Sequence, residues 1–266
     1  MKELKEFLLT IIKEAGNIAL EYFNKEIENK SFSKGLGVDV VSNADIEVEK
    51  YLRGIIKNRY PLHSILGEEE GLDNGNDYKW IIDPIDGTVS FLHGQHHWGV
   101  SIALSINNEV VLGALYNPAY NYLFFAEKGK GATLNNKKIN PSFVDTLDKA
   151  CVCTGFCCLR SQWKKNNLEI FNDVAKQVQG IRRLGSIASD IAFVACGKLD
   201  ACWEMNVNLY DVAAALLIAK EAGAIVCDME GKGQNVINFP LVTNPYLKQQ
   251  MLDIFDKHEI PFENRR

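Results

Sequence analysis

Apolar residues along the first part of the chain recur at helical steps. Leu4, Phe7, Leu8, Ile11, Ile12, Ala15, Ile18, Ala19 and Tyr22 fall three and four apart, with Lys and Glu between them, which predicts an amphipathic opening helix. The stretch NKSFSKGLGVD that follows is rich in Gly, Ser and Lys and reads as a loop. Ser42 can cap a second helix, with Asp45 in its first turn, where a carboxylate suits the helix dipole. Val48, Leu52, Ile55 and Ile56 give that helix its buried face, and Pro61 ends it.

The period then shortens. His63 to Leu66 and Lys79 to Ile82 read as short strands, each running into acids, and WGVSIALSI, EVVLGALYN and YLFFAE predict an antiparallel meander. The second half alternates again. A strand is expected near Cys151, helices over Trp163–Val178 and Ser186–Cys196, a strand over Leu199–Met205, a helix over Leu209–Ala222 and a strand over Ala224–Cys227. Pro245 opens a last helix that ends near His258. This order predicts one compact α/β unit in two lobes, 1–145 and 146–266, with most acidic motifs in the first.

Composition narrows the function. The 266 residues carry 29 Lys+Arg against 34 Asp+Glu, a formal net charge of −5, which argues against nucleic acid as the main ligand because phosphate neutralisation needs cationic excess. No run reaches the ~18 apolar residues of a membrane span, and the charges around Phe7–Ile12 deny that stretch a signal-peptide core, so the cytoplasm is expected. The seven cysteines all lie in the second half, an odd number that suits free thiols. The spacing in CVCTGFCC fits no common structural zinc pattern, so these thiols read as small core residues.

Three segments concentrate acids: LGEEE with Glu68, Glu69 and Glu70; WIIDPIDGT with Asp83 and Asp86; and WEMNVNLYD with Glu204 and Asp211. WIIDPIDGT is the most informative. An apolar strand ends in Asp-Pro, and two carboxylates with the Ile85 carbonyl between them make a hard oxygen donor set of the kind Mg²⁺ accepts. Gly87 and Thr88 then begin a short helix whose N–H groups can meet phosphate. Cation ligands beside anion donors point to phosphate-ester chemistry. The cluster HGQHH, with His93, His96 and His97, reads as a rim or packing feature, and Arg182 and Arg183 as contacts to substrate, to a partner subunit or to solvent-exposed acids.

The ordered set D-V-V-S-N-A-D, H-S-I-L-G-E-E, W-I-I-D-P-I-D-G-T, R-R-L-G-S-I-A and W-E-M…Y-D-V-A-A resembles the inositol monophosphatase family over nearly the whole chain. The resemblance implies a layered αβαβα sandwich of the fructose-bisphosphatase/inositol-monophosphatase kind, a homodimer, and a Mg²⁺-dependent phosphomonoesterase acting on a small phosphorylated metabolite. It implies Glu68, Asp83 and the Ile85 carbonyl on one Mg²⁺, Asp83, Asp86 and Asp211 on a second, and Glu68 again on a third, weaker one. It implies Gly87 and Thr88 on phosphate, Thr88 with Asp45 activating water and Glu68 as a further catalytic residue, Lys34 in a loop over the site, Asp211 also on the substrate, and Glu204 accepting from a substrate hydroxyl. Tyr210 before Asp211, Ser90-Phe91 and Trp98-Gly99 are similar to the histidinol-phosphatase branch, which leaves the substrate open between inositol monophosphate, histidinol phosphate, fructose 1,6-bisphosphate and phosphoadenosine phosphate. A regulatory role through protein contact is the remaining alternative.

Overall fold

A computed structural model describes residues 1–29, 42–160 and 163–262. Two helices open it, α1 (Lys2–Asn29) and α2 (Asn43–Arg59). The strands β1 (Ser64–Gly67), β2 (Gly71–Asp73), β3 (Tyr78–Asp86), β4 (Gly99–Ile106), β5 (Glu109–Asn117), β6 (Tyr122–Glu127), β7 (Ala132–Leu134) and β8 (Lys137–Lys138) follow, with the short α3 (Thr88–Leu92) after β3. They form one sheet in the order β2-β1-β3-β4-β5-β6-β7-β8, and β3 to β8 are an antiparallel meander.

The second sheet comprises β9 (Cys151–Thr154), β10 (Gly180–Arg182), β11 (Ala201–Trp203), β12 (Ile225–Asp228) and β13 (Pro240–Thr243), ordered β10-β9-β11-β13-β12. The later helices are α4 (Cys157–Arg160), α5 (Leu168–Ala175), α6 (Ile187–Ala195), α7 (Leu209–Ala222) and α8 (Lys248–Phe255).

Strand alternation sorts side chains into separate cores. Trp80 and Ile82 of β3, with Val100, Ile102 and Leu104 of β4, pack under α1 and α2, while Ile81 and Ala103 point to the opposite face and meet Ala213 and Ala214 of α7. In the second sheet Cys153, Cys202 and Val242 face α6 and α7, whereas Val152, Trp203 and Leu241 face α5 and α8. Because both faces of both sheets are covered, α7 is buried nearly all round and its sequence is apolar almost throughout, so it lacks a strong amphipathic stripe. The layers are therefore α1–α2, sheet, α6–α7, sheet, α5–α8, the αβαβα sandwich that the family resemblance implies.

Several boundaries differ from expectation. The strand expected over Lys79–Ile82 continues as far as Asp86, through the acidic motif, with a register shift against β4 between Asp83 and Asp86. The helix expected from Trp163 starts only at Leu168. Asn166 Oδ1 accepts the Leu168 N–H at 3.0 Å, and the Asn167 side chain is committed to Thr154, Gly155 and Trp203, so the asparagine pair bonds away from the helix. The last helix begins at Lys248, because Asn244 Oδ1 turns the chain by accepting from Tyr246 and Leu247. Strands β2, β7, β8, β10 and β13 have two to four residues each, too few for a legible alternation.

Candidate active site

The acids converge at the ends of β1 and β3 and at the first turns of α2 and α7. Asp45 is the third residue of α2 and closes a capping box: its N–H donates to Ser42 Oγ, and its Oδ2 accepts the Ser42 N–H at 2.9 Å and the Ser42 hydroxyl. Asp211 holds the same position in α7, accepting the Asn208 N–H at 2.5 Å. One carboxylate oxygen of each is used in folding, which fixes where the other points.

β3 supplies the centre. Asp83 Oδ1 accepts the Ile85 N–H at 3.0 Å, which tightens the Asp-Pro-Ile turn. Asp86 Oδ2 accepts the Ser186 hydroxyl at 2.5 Å and the Ala188 N–H at 2.6 Å, tying β3 to the start of α6. Gly87 has φ 98°, and a Cβ there would lie 2.9 Å from the His97 carbonyl, so only glycine fits this turn into α3. The turn brings the Thr88 hydroxyl to 3.2 Å from the Ile85 carbonyl and 3.4 Å from Asp45 Oδ1.

Burial and like charge act together here. Burial, followed by repulsion from Asp211, raises Glu68 to about 8, and a hydrogen bond links Glu68 to Asp83. Burial, then Glu68, Asp86 and Asp211, holds Asp83 well above the usual carboxylate range. Burial also raises Asp211 to about 7, Asp86 to about 6 and Asp45 to about 6, in each case against hydrogen bonds that favour the anion. Burial lifts the neighbouring Tyr210 phenol, and the charges of Asp211, Glu68 and Asp83 lift it further. A desolvated group of hard oxygen donors, each resisting the ionisation of the next, fits divalent cations of the Mg²⁺ type, whose charge would remove the repulsion.

Glu204 occupies a different corner. It leaves β11 with its carboxylate against Gly155, where a Cβ would come within 1.8 Å of Oε2. Burial raises it to about 8, against backbone N–H donors from Met205 and Cys157, and it senses the charges of Asp190 and Arg183. Lys34 lies outside the described residues.

Some contributors were not read from the sequence. Glu49 is fully buried in α2, pairs with Arg53 Nε at 2.8 Å, and accepts the N–H groups of Glu69 at 2.9 Å and Glu70 at 3.0 Å. It thereby pins the turn carrying Glu68. The four-residue Glu49–Arg53 spacing was the available signal. His97, read as a rim or packing feature, is packed: it is buried with Nε2 at 2.8 Å from Asp190 Oδ1. His96 packs edge-on against Phe23 and Tyr120.

The sequence profile of the inositol monophosphatase family matches residues 1–258. The inositol-1-monophosphatase of Caulobacter vibrioides is 37% identical over 86% of this chain and 91% of its own. The Nus factor SuhB of Xylella fastidiosa is 37% identical over 86% of this chain and 83% of its own. The inositol monophosphatase structure from Anabaena superposes with a TM-score of 0.84 at 32% identity, covering 97% of this chain and 98% of that one. Sequence profile, relatives and fold agree, and the chain belongs to the inositol monophosphatase family.

Proposed function

We propose that the chain is a Mg²⁺-dependent phosphomonoesterase that hydrolyses inositol monophosphate, or a similar small polyol phosphate, to the alcohol and inorganic phosphate. The observation that carries this reading is the convergence of Asp45, Glu68, Asp83, Asp86 and Asp211 on one another, with the Thr88 hydroxyl against Asp45. Glu68, Asp83 and the Ile85 carbonyl would hold one ion, Asp83, Asp86 and Asp211 a second, and Glu68 a third. When bound, such ions offset the charge of a phosphate dianion and lower the pKa of coordinated water.

The chain's own groups supply the rest. Asp45 can accept the Thr88 hydroxyl proton, which leaves a Thr88 lone pair to accept from the attacking water, so a proton passes from water through Thr88 toward Asp45 while Glu68 orients the same water. The narrow Gly87–Thr88 turn lets backbone approach the phosphate. Glu204, with both neighbouring backbone donors in place, accepts from a substrate hydroxyl. The family likeness also supports a homodimer working in the cytoplasm.

A second reading has its own observation. Tyr210 places a phenol beside the acids, a feature similar to the histidinol-phosphatase branch. Phosphate release from inositol 1-phosphate, histidinol phosphate, fructose 1,6-bisphosphate and phosphoadenosine phosphate, each with Mg²⁺, separates them. The highest kcat/KM is expected for inositol 1-phosphate; a preference for histidinol phosphate would move the chain to the other branch. Absence of turnover on all four would favour a protein-contact role, a class suggested by the relative named Nus factor SuhB.

A further inference from the structure

Behind the carboxylate site, β9 and β11 run parallel with Cys153 and Cys202 in direct register. Both thiols face the layer of α6 and α7, and Asp190, in the first turn of α6, reaches down to them. Cys153, Cys202 and Asp190 are buried, at 0%, 1% and 3% exposure. One donor atom from each lies within 4.8 Å of the other two. Asp190 Oδ1 is held by His97 Nε2 at 2.8 Å, and His97 in turn is packed edge-on against Phe193.

We propose that Cys153, Cys202 and Asp190 form a buried site for one thiophilic divalent cation of the zinc–cadmium class, separate from the residues assigned to Mg²⁺. Tetrahedral zinc, at ~2.3 Å from sulfur, sets two sulfurs ~3.8 Å apart, so donors already within 4.8 Å need only small side-chain adjustments. Two thiolates select a soft ion over Mg²⁺, and the oxygen cluster around Asp83 makes the opposite choice. His97 is the positioning residue: its ring fixes the Asp190 carboxylate as imidazoles and carboxylates do around metals generally.

Binding is a proton-for-metal exchange. Two S–H bonds break, two metal–sulfur bonds and one metal–oxygen bond form, and two protons leave to solvent. The filled site carries one net negative charge, and His97 Nε2 lies 2.8 Å from its Asp190 Oδ1. Packing alone explains buried free thiols elsewhere in this chain, for example Cys227. It does not explain a buried carboxylate brought against two of them from a facing layer. No run of the sequence announces the site, because its donors are 37 and 12 positions apart along the chain (153, 190 and 202) and meet only through the β9–β11 pairing and the docking of α6.

The test is a Cd²⁺ titration of the purified, reduced chain in excess Mg²⁺. It is read by the ultraviolet charge-transfer band of cadmium–thiolate bonds and by metal retained after gel filtration. One Cd²⁺ per chain is expected, with Cys153→Ala and Cys202→Ala each weakening binding by at least ~100-fold and Cys227→Ala leaving it unchanged. A missing band after prolonged equilibration, or one equally strong in both variants, would overturn the proposal. X-ray absorption of the zinc-loaded wild-type chain needs no variant: two sulfur neighbours plus oxygen or nitrogen are expected, and an all-oxygen shell would contradict the site.

Discussion

The Thr88 hydroxyl stands 3.4 Å from Asp45 Oδ1 and 3.2 Å from the Ile85 carbonyl, so residues 43 positions apart share one proton-bearing group. Asp45 reaches it because its other oxygen is already fixed by the Ser42 cap. Helix capping and the proposed acid–base pair are one arrangement. Thr88→Ala should therefore lower kcat by about 10²–10⁴-fold with little change in KM, as expected for a group that acts in proton transfer. Steady-state kinetics on the preferred substrate check this. A raised KM at unchanged kcat would assign Thr88 to ground-state binding.

Asp83 is expected to trade stability for function. Buried among Glu68, Asp86 and Asp211, it is unfavourable without a cation. Asp83→Asn should raise the melting temperature of the metal-free protein while abolishing Mg²⁺-dependent turnover and the stabilisation that Mg²⁺ gives. Thermal melts with EDTA and with Mg²⁺ measure both. Lower stability in EDTA would mean that Asp83 is held mainly by its hydrogen bond to the Ile85 N–H.

Glu49 holds the turn that carries Glu68 by accepting the Glu69 and Glu70 N–H groups. Glu49→Ala leaves the Arg53 guanidinium with weaker compensation and frees the Glu69 and Glu70 N–H groups, which should cost about 3 kcal/mol of stability. It should also weaken the apparent Mg²⁺ affinity. Urea unfolding and a Mg²⁺ activation curve report the two effects. Normal Mg²⁺ affinity in a destabilised variant would restrict Glu49 to a folding role.

Glu204 should make stability fall with pH. Burial raises its folded pKa from 4.5 to about 8, so between those values the folded state holds a proton that the unfolded state has released. Its contribution is fully present below about 4.5 and is lost as pH rises through about 8. Glu204→Gln, which keeps the shape beside Gly155, should flatten the stability profile across that window. Urea unfolding at several pH values measures it; an unchanged slope would show that Glu204 ionises normally in the fold.

Much of this was legible in the sequence, and the residues explain why. WIIDPIDGT is local: its acids, carbonyl and glycine turn lie within one strand end and carry their own meaning. Ser42 and Asp45 announced a cap. Glu49 did not stand out, because a charged helix residue ordinarily faces water, and only the packing of α2 against the Glu68 turn buries it. Asp190 and His97 are partners across layers, and their pairing follows from the docking of α6, which no local pattern encodes. Likewise α7 lacks a one-sided stripe because two sheets cover it, so its position between them came from tertiary structure.

In the proposed function the carboxylate cluster works by holding divalent cations for phosphate-ester hydrolysis. The direct measurement is phosphate release from inositol 1-phosphate during a Mg²⁺ titration of EDTA-stripped protein, with Asp83→Asn in parallel. Turnover should be absent without Mg²⁺, rise saturably as it is added, and stay near background in Asp83→Asn. Turnover that persists in EDTA, or that Asp83→Asn shares with wild type, would contradict it.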